Sequence, residues 1–194
     1  MTLHPKSKTN RTGTSNDTGG WLHPEEYQTL GHIYSWNKIA GTPEGRRMTF
    51  TSLWILFDFA VGSRNEGDTP GINDKGLVTR DRETRKDAFY FYKCIWNPEN
   101  EVHMMSTRWK ERDTQDIAIT VFSNGDTVEL YRNGRLVQTL NKPTDPINNV
   151  VWTFDPVPFT EEAKNGVPDT FRAIAYRGGR KIGQHTGYFT TTAK

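Results

Sequence analysis

The apolar residues of this chain change period part-way along it, and no single layer of secondary structure can accommodate both patterns. Downstream of residue 101 they alternate: Ile117, Ile119 and Val121, then Val128 and Leu130, then Val150, Trp152 and Phe154, then Phe171, Ala173 and Ala175. A period of two puts such residues on one face of a β-strand. Asn124-Gly125, Asn133-Gly134 and Gly178-Gly179 stand between the runs, and Asn-Gly is the strongest short hairpin signal because both positions tolerate positive φ. Residues 98–194 are therefore predicted to form a β-sandwich close to the roughly 100 residues of an immunoglobulin-like domain. The one cysteine, Cys94, excludes an internal disulfide and a paired-cysteine metal knuckle, so the fold must stand on packing. Ten Phe, seven Tyr and six Trp supply the material.

Upstream the signals are helical or continuous. Residues 21–40 predict a helix, with Glu25 and Glu26 favouring its positive N-terminus and Tyr27, Leu30, Ile33 and Tyr34 at helical spacing. Residues 48–57 read as a short buried strand carrying Phe50, Leu53, Trp54 and Phe57. A long glycine-containing loop over 58–76 follows, then the mixed-charge run 80–86, read as a solvated helix start. After it Ala88, Phe89, Tyr92, Ile95 and Trp96 give a helix one apolar face. Helix, strand, loop and helix make a piece of an α/β layer, and the whole of a (β/α)8 barrel, about 250 residues, cannot fit in 194. The predicted organisation is a flexible tail over 1–20, an incomplete α/β (barrel) remnant over 21–97, and the sandwich over 98–194. Asn97-Pro98-Glu99-Asn100-Glu101 is the punctuation between the last two.

The same composition removes several functions. Lys and Arg number 25 against 23 Asp and Glu, a formal net charge of +2, too small an excess for a phosphate backbone, so no nucleic-acid partner is expected. The most apolar stretch, 53–61, is interrupted by Asp58 and falls short of the roughly 20 residues that cross a bilayer, so no membrane partner is expected either. His4, His23, His32, His103 and His185 lack metal-ligand spacing, and no metal or cofactor is predicted. No secretory h-region precedes residue 21. Cys94 reads as a buried inert thiol.

Within the upstream half, Phe57-Asp58-Phe59-Ala60, Arg64-Asn65-Glu66-Gly67-Asp68-Thr69-Pro70-Gly71-Ile72-Asn73-Asp74-Lys75-Gly76-Leu77-Val78, Asp81-Arg82 and Arg85 through Lys93 closely resemble bacterial β-galactosidases of glycoside hydrolase family 2. His23-Pro24-Glu25-Glu26-Tyr27-Gln28 resembles the family segment that follows the nucleophile. The resemblance spans 21–194 and implies the end of a catalytic barrel followed by an immunoglobulin-like domain. It implies a parent enzyme that hydrolyses terminal β-galactosides with retention, in a bacterial cytoplasm or periplasm. Retention needs two carboxylates about 5 to 5.5 Å apart, and the resemblance places both upstream of the segment matched by residue 21, where Asp17 is the one acid. No catalytic residue is therefore assigned, and Asp58, Glu66, Asp68 and Asp74 show no supported acid/base pairing.

The same resemblance marks three substrate-binding candidates. Trp54 matches an aromatic wall of the sugar subsite, the alternative being a core Trp. Asn73 and Lys75 match a loop pair reaching substrate hydroxyls or, in glucuronidase relatives, a carboxylate; the alternative is a turn-holding Asn and a solvated Lys. Trp109, Tyr131, Trp152 and Tyr176 lie on predicted strands and could form a sugar-stacking surface; Trp152 alternates with Val150 and Phe154, which marks it as core, while Tyr131 and Tyr176 face away from their apolar neighbours and are the better candidates. A β-galactoside-like carbohydrate is the expected partner. Other readings are a non-catalytic carbohydrate-binding module or a structural and oligomerisation domain. Because a lone strand would leave its edges and aromatics exposed, self-association into a homo-oligomer is expected.

Overall fold

The structure is a computed structural model describing residues 25–66 and 69–193. The tail expected over 1–20, the first residues of the helix expected from 21, His4, His23 and Asp68 lie outside the described residues, as does the side chain of Glu66. The chain is mostly β and divides into two compact units between Tyr90 and Phe91.

In the first unit, α1 (Glu25–Gly41) begins with Glu25 and Glu26 and ends near Lys38, the charge order that a helix dipole favours. Its apolar stripe does not face a core of this unit: Tyr27, Leu30 and Tyr34 are exposed, whereas Glu25 and Thr29 are buried. A 3₁₀ turn, Gly45–Arg47, follows. The strand expected over 48–57 does not form. Residues 55–58 instead run beside 77–78 through one parallel bridge, Phe57 to Val78, with the Leu77 N–H donating to Ile55 O (3.0 Å) and the Asp58 N–H to Val78 O (2.9 Å). A strand needs a ladder longer than this, and Phe50, 80% exposed, has no core to enter.

The expected loop over 58–76 is in fact a hairpin, β1 (Phe59–Glu66) and β2 (Thr69–Asn73). Phe59 pairs with Asn73 and Ala60 with Ile72, then the register jumps to Asn65 with Pro70. Residues 61–64 thus stand opposite Gly71 alone, and this irregularity erases the period-two signal that announces a strand. Helix α2 (Asp87–Trp96) forms where predicted, and the division between the units falls inside it.

The second unit contains β3 (Val102–Met104), β4 (Glu111–Arg112), β5 (Asp116–Ile117), β6 (Thr120–Ser123), β7 (Thr127–Arg132), β8 (Arg135–Leu140), β9 (Val151–Thr153), β10 (Val157–Pro158), the short helix α3 (Glu161–Lys164), β11 (Asp169–Arg177) and β12 (Arg180–Thr191). One sheet runs β4-β12-β11-β7-β8 and the other β3-β6-β9, with β5 and β10 pairing apart. All these pairings are antiparallel except that of β12 with β4.

The predicted alternating residues fill the space between the two sheets, Val121 and Trp152 from one and Val128, Leu130, Phe171, Ala173 and Ala175 from the other, joined by Phe189 of β12, which the alternation did not mark. Ala173 stands beside Leu130 and Ala175 beside Val128, so small side chains on β11 leave room for large ones on β7. Trp152 is fully buried, and its indole N–H donates to Ser123 O at 3.0 Å, which satisfies the one polar group the ring carries inward.

Two of the three turn expectations describe hairpins. Asn133 and Gly134 (φ 50° and 82°) join β7 to β8, and Gly178-Gly179 joins β11 to β12. Asn124-Gly125 does not close a hairpin, because β6 and β7 belong to different sheets. The Asn124 side chain instead pins the preceding segment, accepting from the Glu101 N–H (3.1 Å) and donating to Glu99 O (2.6 Å). Trp109, expected on a strand, lies between β3 and β4 and is buried under the Arg112 guanidinium, 4.1 Å from the ring centre.

Replacing Trp152 with Ala removes the largest ring of this core and the partner of Ser123 O. The expected loss is about 3–5 kcal/mol, read by chemical denaturation of the whole chain followed by far-ultraviolet circular dichroism.

Candidate functional site

The three substrate-binding candidates come together at one end of the β1–β2 hairpin. Trp54 meets Phe59 edge-to-face, with ring centres 6.0 Å apart, and Phe59 is the register partner of Asn73. Trp54 is 66% exposed, a flat ring open to solvent. Asn73 is buried, and its Oδ1 accepts the Lys75 N–H at 3.1 Å. Such an Asx turn fixes the backbone two residues on, so Asn73 does hold the turn, and what it presents is Lys75, half-buried.

Beneath this end lies a group that the sequence reading assigned to solvent. Lys86 is fully buried. Its Nζ lies 2.7 Å from Asp58 Oδ1 and donates to Asp74 O at 2.8 Å. Asp58 immediately precedes Phe59 and Asp74 immediately follows Asn73, so one ammonium ties both strands at the hairpin base. The same Asp58 Oδ1 accepts the Gly76 N–H at 2.8 Å. Gly76 packs so tightly that a Cβ there would lie 2.2 Å from the Asp58 backbone nitrogen. From α1, the Gln28 amide donates to Lys75 O (2.8 Å) and Gly76 O (3.0 Å), and Glu25 accepts the Asp87 N–H at 2.5 Å.

Burial pushes the Lys86 ammonium below its ordinary value, while Asp58, with Asp74 and Glu25, acts in the opposite direction. Burial, helped by the Lys86 charge, also lowers His32. Asp58 and Asp74 are thus structural acids of a buried network. A lone Asp between Phe57 and Phe59, and a Lys directly ahead of the apolar residues of α2, were the available signals, because charges set in apolar runs are affordable inside only when paired.

On the sandwich, Tyr131 and Tyr176 both donate their hydroxyls to Glu129 Oε2, each at 2.8 Å. That bond raises both phenols above their ordinary value. The Arg172 guanidinium lies 5.3 Å from the Tyr131 ring centre. The two candidate stacking residues therefore share one face of the sheet and one carboxylate. Cys94 is buried, and burial pushes its thiol up, as an inert thiol requires. Among the described residues no three His, Cys, Asp or Glu side chains are grouped to hold a metal, and no helix is long and apolar enough to cross a membrane.

No family model matches the chain. Individual relatives do. A β-glucuronidase of Bacteroides fragilis is 42% identical over 134 residues, 69% of this chain and 19% of that protein. Among solved structures, an FMN-binding β-glucuronidase of Facaelibacterium prausnitzii is 32% identical with a TM-score of 0.72, covering 87% of this chain and 23% of its own. A provisionally named β-galactosidase of Bacteroides fragilis is 27% identical with a TM-score of 0.76, covering 94% and 26%. These relatives are carbohydrate-processing glycoside hydrolases, and the chain spans about a quarter of their length or less.

Three outcomes follow from the network. Lys86→Met leaves Asp58 buried without its cation and is expected to cost about 3–5 kcal/mol, measured by denaturant titration. Gly76→Ala forces Asp58 and the ammonium apart and is expected to cost about 1–3 kcal/mol, with the loss seen in the same titration. For His32 the folded value lies below the unfolded 6.5, so the unfolded state binds the proton more readily. Its contribution is present above pH 6.5 and is lost as pH falls through the folded value. His32→Gln should flatten the acid side of a melting-temperature profile.

Proposed function

We propose that this chain is a segment of a family 2 glycoside hydrolase that recognises the terminal sugar, and that this sugar is a β-glucuronide. The observation that carries the reading is the hairpin end where Trp54, Asn73 and Lys75 converge above a buried cation. A flat exposed ring suits the C–H face of a sugar, and the ammonium of a lysine two residues beyond Asn73 suits an anionic substituent better than a hydroxyl. In this division of labour Asn73 positions and Lys75 binds, supporting a uronate carboxylate over a galactoside. Relatives named as β-glucuronidases support the same choice, while one named as a β-galactosidase keeps a neutral sugar as the competing outcome. The acid/base and nucleophile carboxylates would come from the portion of such an enzyme that the resemblance places upstream of residue 21.

Saturation-transfer difference NMR on the whole chain tests this. Methyl β-glucuronide is expected to bind more tightly than methyl β-galactoside by about tenfold, the weight of one charge-assisted hydrogen bond, and Lys75→Met to abolish the difference. Equal binding of the two sugars by the unmodified chain would return the reading to a galactoside. Chromogenic β-glucuronides should not be turned over; turnover lost on Glu66→Ala or Asp68→Ala would place an acid/base pair within this chain.

The expected self-association is also kept as a proposal. Phe50, Trp54 and Leu56 are exposed within seven residues of one another, and Tyr27, Leu30 and Tyr34 line one stripe of α1. Exposed apolar side chains grouped in this way mark interaction sites, and a second copy would cover them symmetrically. Light scattering at micromolar concentration should give a dimer that Phe50→Ser weakens.

A further inference from the structure

The β7–β8 turn carries two arginines, Arg132 and Arg135, neither of which is paired with a carboxylate among the described residues. Arg132 and Arg135 are register partners on either side of Asn133-Gly134. Arg132 keeps the parity of the buried Val128 and Leu130 along β7 and is half-buried at the end of that strand. Together they line an open cavity of about 550 Å³, within the range of small-molecule clefts. Leu136, Val137 and Val157 form its apolar wall. Leu136 and Val137 are exposed, and a ligand that covered them would take their apolar surface out of water, which is favourable.

The electrostatics of this cavity are unbalanced. Arg132 donates to Pro158 O, and no carboxylate pairs with either guanidinium among the described residues. Asp169, which binds two of the lining residues, has both oxygens committed: Oδ1 accepts from Asn133 Nδ2 (2.7 Å) and the Thr160 hydroxyl (2.8 Å), and Oδ2 from the Thr160 N–H (3.0 Å). These bonds lock the wall in place without neutralising the arginines. Two forked donors on one rigid turn match a planar or tetrahedral oxyanion, and the hairpin geometry presets their spacing before any ligand arrives.

We propose that this cavity binds an organic oxyanion: a phosphate, sulfate or carboxylate group held by Arg132 and Arg135, on an apolar body about one ring in size resting against Leu136, Val137 and Val157. The site is made by residues of the sandwich alone and does not depend on the glucuronide reading.

The test is a ¹⁵N-NMR titration of the whole chain with phenyl phosphate, benzoate, inorganic phosphate and benzyl alcohol. Phenyl phosphate and benzoate should shift the amides of Arg135, Leu136 and Val137 saturably. Inorganic phosphate, without the ring, and benzyl alcohol, without the charge, should each bind about tenfold more weakly. Arg135→Gln, at an exposed position, should weaken phenyl phosphate about tenfold and leave the melting temperature unchanged. Val137→Glu, which adds a carboxylate to the wall, should weaken it further. Arg135→Gln binding as tightly as the unmodified chain, inorganic phosphate matching phenyl phosphate, or shifts mapping away from β8 would each overturn the proposal. Isolated shifts that do not saturate would overturn it too, showing adventitious screening of surface charge.

Discussion

A single buried ammonium organises the first unit. Moving a lysine out of water is costly, and the interior repays it only when the charge is paired and the other donors are used. Lys86 is paired with Asp58 and directs a second donor to Asp74 O. Because those partners flank Phe59 and Asn73, satisfying the lysine is the same event as closing the hairpin. The position of Lys75, the contact of Trp54 with Phe59, and the close approach at Gly76 all follow from it. An apolar residue at position 86 could fill the volume, but it could not join two strands and a loop at one point.

The second unit is organised by a different constraint, the volume between two sheets. Its core alternates large and small side chains across neighbouring strands, and the indole N–H of the fully buried Trp152 is answered by Ser123 O. Polar work is moved to the periphery. Asn124 fastens the entering segment, Asp169 fastens α3 to the β7–β8 turn, and Glu129 gathers two tyrosines on the outer face. Beside the cavity at Arg132, Asp169 is committed to Asn133 and Thr160 and offers no carboxylate to the guanidiniums.

Legibility followed the reach of the signal. The sandwich core was readable residue by residue, since alternation is a property of each strand alone, and so was the turn at Asn133-Gly134. Asn124-Gly125 carries the same dipeptide, yet nothing local tells a hairpin from a crossing between sheets. The apolar run 48–57 was misread because a strand is defined by its partners, and here the pairing shrinks to one bridge at Phe57. The hairpin β1–β2 was missed for the converse reason, four residues bulging opposite Gly71. Of the candidate site, Trp54, Asn73 and Lys75 were named by resemblance, whereas Lys86 was taken for a solvated charge because composition cannot say which of several neighbouring cations is buried.

The strand order also has a consequence for how such a protein is made. Strand β12 lies between β4 and β11 and contributes Phe189 to the core, so the five-stranded sheet is held together by the strand that leaves the ribosome after all the others. Strand β4, synthesised some 80 residues earlier, has no ladder until then. Contacts this distant in sequence close slowly, and an unfinished sheet offers open edges while it waits. Vectorial synthesis therefore leaves the β7–β8 hairpin, complete within itself and sealed by Asn133-Gly134, as the natural first template on which the rest of the sheet assembles.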